Sequence, residues 1–438
     1  MKHSMRTSFA RRSVLLLLAV FVLTVVGRLV TTMNASAFCA GWLLCVPVAP
    51  LGYLKLVHLV LVAMASVVMI SLWRKAWREQ RHHASLLPLT TVTGVLFFGQ
   101  AFVGAMEVMR EYPTHLVVLH GLTAISLWIS LGMLVFVSGT LKEDGVADYQ
   151  FGARQRAKDF FVLSKPLIVV LLLVTTYGGL VAGGRAWPSA SLTFWTLLGG
   201  ALAAGGSSAL NQYIDRELDK NMQRTSKRPL ADGRLTAAEG LSYGLALSLV
   251  SYYLMAGFVN LLAALLSLAG IFYYVFFYSV WLKKKTVQNI VIGGGAGAIP
   301  PMVGWAAATG NLSLGAWILF AIVFWWTPPH FWALAIVRMK DYERAGVPML
   351  PVVQGEEKTR KQILIYTVEL IVVTLLLPIF NLAGTIYLVS ALALGGLLLY
   401  AAWRVFREGG NKAAWTMYRW SSMYLAFIFL ALMIDAAV

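Results

Sequence analysis

From Val14 to the C-terminus the chain repeats one pattern, a stretch of about twenty apolar residues followed by a short, mostly basic break. An α-helix of that length crosses the hydrocarbon core of a bilayer. Inside lipid the backbone must satisfy its own hydrogen bonds, which leaves helices or a closed barrel, and unbroken apolar runs select helices. The runs fall near 14–33, 52–73, 86–107, 114–139, 161–183, 194–213, 237–258, 261–281, 287–309, 314–337, 363–382, 385–403 and 415–437. They predict an all-α polytopic membrane protein with about thirteen transmembrane helices.

A net charge of +17 on a chain that is 59% hydrophobic first suggests an anionic partner such as nucleic acid. The placement of the charge excludes that. With the N-terminus inside, all of the 36 lysines and arginines except Arg28, Lys55, Arg110 and Arg185 fall in inner segments. The positive-inside rule then accounts for the excess. It places the N-terminus in the cytoplasm of a multi-pass cell-membrane protein and the C-terminus outside.

Asn34-Ala35-Ser36-Ala37 after the first apolar run is compatible with a signal-peptide cleavage site, but the run approaches spanning length, which favours a retained helix. Cys39 and Cys45 lie in the first outer loop, where an oxidising compartment favours a disulfide over two free thiols. The polar stretch 141–160 reads as a cytoplasmic linker. It divides a four-helix unit, 1–140, from a nine-helix unit, 161–438. Gly and Ala runs at 199–206 and 293–298 suit close helix packing. Gly293–Gly297 follows no strand and lacks the Lys-Ser/Thr ending of a phosphate loop.

The sixth run ends in Asn211-Gln212-Tyr213-Ile214-Asp215-Arg216-Glu217-Leu218-Asp219. Asn211, Asp215 and Asp219 are four apart and share one helical face. A carboxylate at membrane depth costs about 2.5–3.5 kcal/mol, so its presence is a functional-site hypothesis by default. Two acids and an amide one turn apart suit Mg²⁺, whose remaining ligands are commonly phosphate oxygens. Arg224, Lys227 and Arg228 follow, as cations that neutralise a diphosphate would, although every inner loop is basic. A second polar segment carries Lys283, Lys284 and Asn289. A third runs from His330, behind Pro328-Pro329 where the helix must kink or break, to Asp341 and Pro351. His330 reads equally as a satisfied core histidine.

The segments NQYIDRELDKNMQRTSKRPL, LKKKTVQNIVIGGGAGAIPPMVGW and PPHFWALAIVRMKDYERAGVPMLP resemble the protohaem IX farnesyltransferases (haem O synthases) of the intramembrane polyprenyltransferase superfamily, over residues 155–438. The resemblance implies a nine-helix bundle that transfers farnesyl from farnesyl diphosphate to the 2-vinyl group of haem B with addition of water, giving haem O. It assigns Asn211, Asp215, Asp219 and Asp341 to the catalytic motifs. Asp215, Asp219 and Asp341 would hold Mg²⁺; Arg224, Lys227, Arg228, Lys283, Lys284, Asn289 and His330 would contact substrate. Lys284 stands where the family carries Arg, and Arg338 where quinone-acting relatives carry a further acid. Tyr274, Tyr278 and Trp281 are candidates for cation–π contact with an allylic carbocation.

In the small unit, His58 and His120 sit at similar depth in apolar helices, a spacing that lets two imidazoles clamp a haem iron. Phe38-Cys39-Ala40-Gly41-Trp42-Leu43-Leu44-Cys45, His58, Gln100 and Val118-Leu119-His120 resemble one half of the haem A synthases. That resemblance implies His58 and His120 as haem ligands and Cys39 and Cys45 as a disulfide. The oxidising half of that family carries Glu three residues before its first histidine and Arg directly after it. Here Lys55 and Leu59 stand in those places, which implies haem binding rather than unaided oxidation. The implied partners are farnesyl diphosphate, haem B, membrane lipid and a haem A synthase or oxidase-assembly protein, with no nucleic acid. A haem-binding carrier, a quinone-type polyprenyltransferase and a transporter are the competing classes. The intact acidic motifs oppose the first and the His330–Ala335 segment the second. The lack of paired broken helices opposes the third.

Overall fold

The structure, a computed structural model, describes residues 7–40, 45–141, 143, 145 and 151–438. Lys2 and Arg6 of the basic start, the Gly41-Trp42-Leu43-Leu44 part of the cysteine motif and linker positions 142, 144 and 146–150 lie outside the described residues. Two compact units divide the chain, Met1–Arg156 with Leu235–Tyr253, and Ala157–Arg234 with Leu254–Val438.

The first unit holds α1 (Ser8–Thr32), α2 (Gly52–Glu79), α3 (Leu86–Met109) and α4 (Thr114–Gly139). They pack in sequence and α4 returns to α1, closing a four-helix ring. Leu18, Val67 and Phe136 are exposed on its outer surface, as side chains that meet lipid must be. Between α1 and α2 the two-residue strands β1 (Cys39–Ala40) and β2 (Val46–Pro47) pair antiparallel, and a disulfide joins Cys39 to Cys45. α5 (Ala153–Leu163) begins in this unit and ends in the second, as does α8 (Ala237–Phe258). The start of α8 is held by a fully buried Glu239, 2.5 Å from Arg156 and 3.4 Å from Arg81. Tyr253 donates to Thr123, 3.2 Å.

The second unit contains α6 (Pro166–Gly184), α7 (Ala190–Lys220), α9 (Leu261–Phe272), a π-helical continuation (Tyr273–Leu282), α10 (Asn289–Thr309), α11 (Leu314–Val337), the short α12 (Met339–Arg344), α13 (Leu350–Ile379), α14 (Thr385–Glu408) and α15 (Gly410–Ala437). α10 and α11 form its centre, α10 against α6 and α9, α11 against α13 and α15. α6 and α10 approach so closely that a Cβ at Gly179 would collide with the Pro301 carbonyl, and one at Gly304 with the Thr176 carbonyl. Lipid supplies no hydrophobic drive between helices, so backbone contact through small residues does the packing.

Among the described residues twelve helices are long and apolar enough to cross a membrane. The difference from thirteen is α7, which has 31 residues but is diluted by glycine, serine and the polar face at its end. Two further expectations change. The span expected at 161–183 is broken: α5 stops at Leu163 and α6 starts at Pro166. Proline pushes the residue before it out of the α region, and Lys165 adopts a left-handed conformation, φ 47° and ψ 61°. Conversely α11 runs unbroken across Pro328-Pro329. Prolines are tolerated inside membrane helices because neighbouring groups take up the freed backbone positions.

Candidate functional site

The end of α7 buries Asn211, Asp215 and Asp219, each only 3% exposed. Helical periodicity stacks them, and each acid faces a cation from elsewhere in the same unit. Lys283 Nζ donates to Asp215 Oδ2 at 2.5 Å, and Asn211 Nδ2 donates to the same oxygen at 2.8 Å. Arg228 Nη1 donates to both oxygens of Asp219, 2.9 and 2.7 Å. The turn between them is drawn back by Thr225 Oγ1, which donates to the Asp219 carbonyl at 3.1 Å.

The π-helical segment explains how Lys283 reaches Asp215. Lys283 N donates to the Tyr278 carbonyl five residues back, 2.9 Å, and Ser279 Oγ donates to the Tyr274 carbonyl, 2.8 Å. Single-turn widening of this kind is frequent at functional sites. Ser279 Oγ in turn accepts from Asn211 Nδ2, 3.0 Å. Asn211 Oδ1 accepts from Lys165 Nζ, 3.1 Å. The Asn211 amide is therefore oriented from both ends. Ser279 and Lys165 were not selected from the sequence, the first because a buried serine carries no signal, the second because it reads as one more topogenic cation.

Asn289, 1% exposed, opens α10 and donates to the Lys283 carbonyl at 3.3 Å and, more weakly, to the Pro348 carbonyl at 3.5 Å. It ties the second polar segment to the third. Its Oδ1 is buried without a hydrogen-bond partner. Asp341 is buried on α12, with Arg344 Nη1 at 3.8 Å as its ion-pair partner. It is not gathered with Asp215 and Asp219: among the described residues no three His, Cys, Asp or Glu side chains lie close enough to hold one metal ion. Beside it, burial raises the Tyr342 hydroxyl above its ordinary pKa of 10.0, and the charge of Arg224 opposes the rise.

Arg224, Lys227 and Lys284 are exposed, whereas Arg228 and Lys283 are half-buried in the ion pairs above. Tyr274 and Tyr278 stack, with ring centroids 5.7 Å apart. Trp281 is exposed and packs on Phe277. His330 stacks between Trp326 and Tyr418, at 4.2 and 4.5 Å, and its Nδ1 shares a 2.8 Å hydrogen bond with Ser421 Oγ. That is the environment of a satisfied core histidine.

The donors suit Mg²⁺. Asp215 and Asp219 offer hard carboxylate oxygens one turn apart, both buried beside the amide of Asn211. The arrangement can do two things chemically: bind a divalent cation through the acids and neutralise a polyanion through Arg228 and Lys283.

In the first unit the two histidines occupy matching settings. The edge of the His58 ring packs where a Cβ on Gly27 of α1 would lie 3.1 Å from Cε1. The His120 ring does the same at Gly104 of α3, 2.8 Å from Cε1. His58 Nδ1, His120 Nδ1 and Gln100 Oε1 are buried without hydrogen-bond partners. Glu107 Oε2 lies 3.2 Å from His120 Nδ1 without the alignment of a hydrogen bond. Lys55 donates to Ser36 Oγ, 3.1 Å. Glycine cradles and orphaned ring nitrogens fit a pair of iron ligands.

Comparison with known proteins places the second unit in a family. The model of the UbiA prenyltransferase family matches residues 172–428. The chain is 39% identical over 453 residues to "Protoheme IX farnesyltransferase" of Roseiflexus sp. (strain RS-1), covering 98% of this chain and 84% of that protein. It is 39% identical over 465 residues to the protein of the same name from Roseiflexus castenholzii (strain DSM 13941 / HLO8), covering 99% and 86%. With the protein of that name from Gloeobacter violaceus (strain ATCC 29082 / PCC 7421), identity is 48% over 279 residues, 64% of this chain and 92% of that one. In fold it is similar to a solved structure described under digeranylgeranylglyceryl phosphate synthase, at 17% identity, with a TM-score of 0.55 over 64% of this chain and 99% of that chain.

Proposed function

This chain belongs to the UbiA prenyltransferase family, and from that premise we propose that it transfers a farnesyl group from farnesyl diphosphate to the 2-vinyl group of haem B, with water added, to give haem O. The observation that carries the reading is the pairing of the buried acids of α7 with cations from outside it: Asp215 with Lys283 and Asp219 with Arg228. The name shared by the relatives supports haem as the acceptor.

Asp215 and Asp219 are the residues that would hold Mg²⁺, and Asp341 on α12 would offer its carboxylate to a second metal ion. When bound, the metal would supply charge stabilisation for the diphosphate as it leaves. Arg228 and Lys283 neutralise the same charge from the protein side, and their advantage is that they are already in place before the bond breaks. Asn211, locked by Lys165 and Ser279, keeps the Asp215 carboxylate aimed. The allylic carbocation that remains must meet the vinyl group before water does, and an apolar bundle excludes water. Tyr274 and Tyr278 are the aromatics best placed beside Asp215 to stabilise it. Arg224, Lys227 and Lys284 serve as outer cations that attract the diphosphate. His330 shapes the core rather than the chemistry.

The same reading divides the chain into a haem-binding bundle over 1–140, a linker over 141–160 and the prenyltransferase over 161–438. His58 and His120 would hold haem in the first, with the Cys39–Cys45 loop on the outer side. Basic residues flank the α6–α7 pair on both sides, so α7 must cross as well, which makes thirteen spans and puts the α7 acids at the cytoplasmic leaflet of the cell membrane.

The test is expression in a membrane that lacks its own haem farnesyltransferase, with extracted haems read by mass. Haem O is expected from the full chain. Asp215→Ala and Asp219→Ala are each expected to lower its yield by at least about a hundredfold at unchanged membrane abundance. Near-normal haem O from either variant overturns the assignment of the acids, and a prenylated quinone in place of haem O overturns the acceptor.

A further inference from the structure

Of the cations buried at the site, one has no ion pair of its own among the described residues. Lys283 engages Asp215 and Arg228 engages both oxygens of Asp219. Lys165 is partly buried in the same cluster, but among the described residues its Nζ hydrogen-bonds only to the side-chain oxygen Asn211 Oδ1, 3.1 Å away. Asp215 and Asp219 are each already matched by another cation, so Lys165 leaves the buried cluster one positive charge in excess, and a fold retains such a group where an anion arrives to match it.

The backbone is built to bring it there. Lys165 occupies the break between α5 and α6 in a left-handed conformation that is disfavoured for any residue with a Cβ. The break is held by α7 itself: Ser208 Oγ and Gln212 Nε2, one turn apart, both donate to the Leu163 carbonyl, at 2.8 and 2.7 Å. Gln212 is 1% exposed. Ser208 and Gln212 precede and follow Asn211 on the same helix, so α7 both carries the acids and fixes the segment that delivers the cation. An ammonium has three donors. One is used by Asn211, and the others are free to reach an oxyanion between α6 and α7.

We propose that Lys165 is a further diphosphate-binding residue, set by the α5–α6 break against Asn211 so that its remaining donors take phosphate oxygens of the isoprenoid diphosphate. This rests on the function proposed above and names an additional ligand of the same site. The competing role is structural, a lysine that only orients Asn211.

The experiment uses the full chain purified in detergent, with inorganic pyrophosphate and Mg²⁺ titrated calorimetrically. Wild type is expected to bind. Lys165→Met keeps the apolar stem and is expected to bind at least about tenfold more weakly, with Lys165→Arg recovering part of the loss. Equal binding by wild type and Lys165→Met overturns this inference alone. No binding by wild type overturns the proposed function and the inference with it. A second measurement needs no variant: Lys165 of the wild type is acylated with acetic anhydride and quantified by peptide mass. Protection by magnesium pyrophosphate is expected, and equal labelling with and without it overturns the inference.

Discussion

His83 caps a helix that has no cap of its own. Ser85 stands at the N-cap of α3 without a side-chain hydrogen bond, and His83 Nδ1 accepts instead from Leu86 N at 3.1 Å and Ser85 N at 3.3 Å. Only a neutral imidazole can accept there. Burial lowers the His83 pKa below its ordinary 6.5, against the smaller effect of its backbone hydrogen bond. A depressed folded pKa means that the unfolded state binds the proton more readily, so the contribution is fully present above pH 6.5 and is lost as pH falls through the folded value. Hydrogen exchange at Leu86 and its neighbours, corrected for intrinsic rates, is expected to speed up on acidification below pH 6.5. His83→Ala is expected to show the fast rate at neutral pH and no further change. The acids of α7 have a different residue-scale logic. What matters is their company: removal of Arg228 would take the ion-pair partner from the buried Asp219 charge, a loss worth roughly 3–5 kcal/mol.

At the scale of elements, several helix ends are completed by residues far away in sequence. α14 starts after Gly384, which offers no side-chain cap. Asp435, near the end of α15, supplies it by accepting from Gly384 N and, at 3.1 Å, from Tyr387 N, the N-cap and third residue of α14. The carboxylate also meets the positive end of the helix dipole. Asp435→Ala is expected to cost about 1 kcal/mol, measured as a lower midpoint of thermal unfolding in detergent, and Asp435→Asn less, because the amide oxygen still accepts. No N-cap pattern in the sequence marks α14, since the cap is not local. The π-helical segment is equally hidden. Its residues read as a plain apolar helix over 261–281, and only the need to seat Ser279 and Lys283 against α7 selects the wider register. α13 adds a third case: Gly355, at φ 82°, interrupts a helix whose apolar run begins only at 363. A left-handed φ there suits glycine because it has no Cβ.

For the whole molecule, the paired settings of His58 and His120 predict a bound haem in the first unit. The double variant His58→Ala/His120→Ala is expected to lose haem absorbance after purification, while the protein remains folded by circular dichroism. Retention of the wild-type spectrum would remove the ligand assignment. The glycine cradles at Gly27 and Gly104 explain why the sites are paired by shape as well as by residue type: each ring edge occupies the space a side chain would take.

Most of the apolar segments and the alignment of Asn211, Asp215 and Asp219 on one face were readable from the chain. Each depends on local period or on the cost of charge in lipid, and neither needs a distant partner. The tertiary structure alone decided that Lys283 answers Asp215 and Arg228 answers Asp219, that Lys165 joins them through a broken helix, that Asp341 stands apart and that His330 is stacked into the core. Those are through-space choices between residues tens of positions apart, and packing between helices, not spacing along them, sets which groups meet.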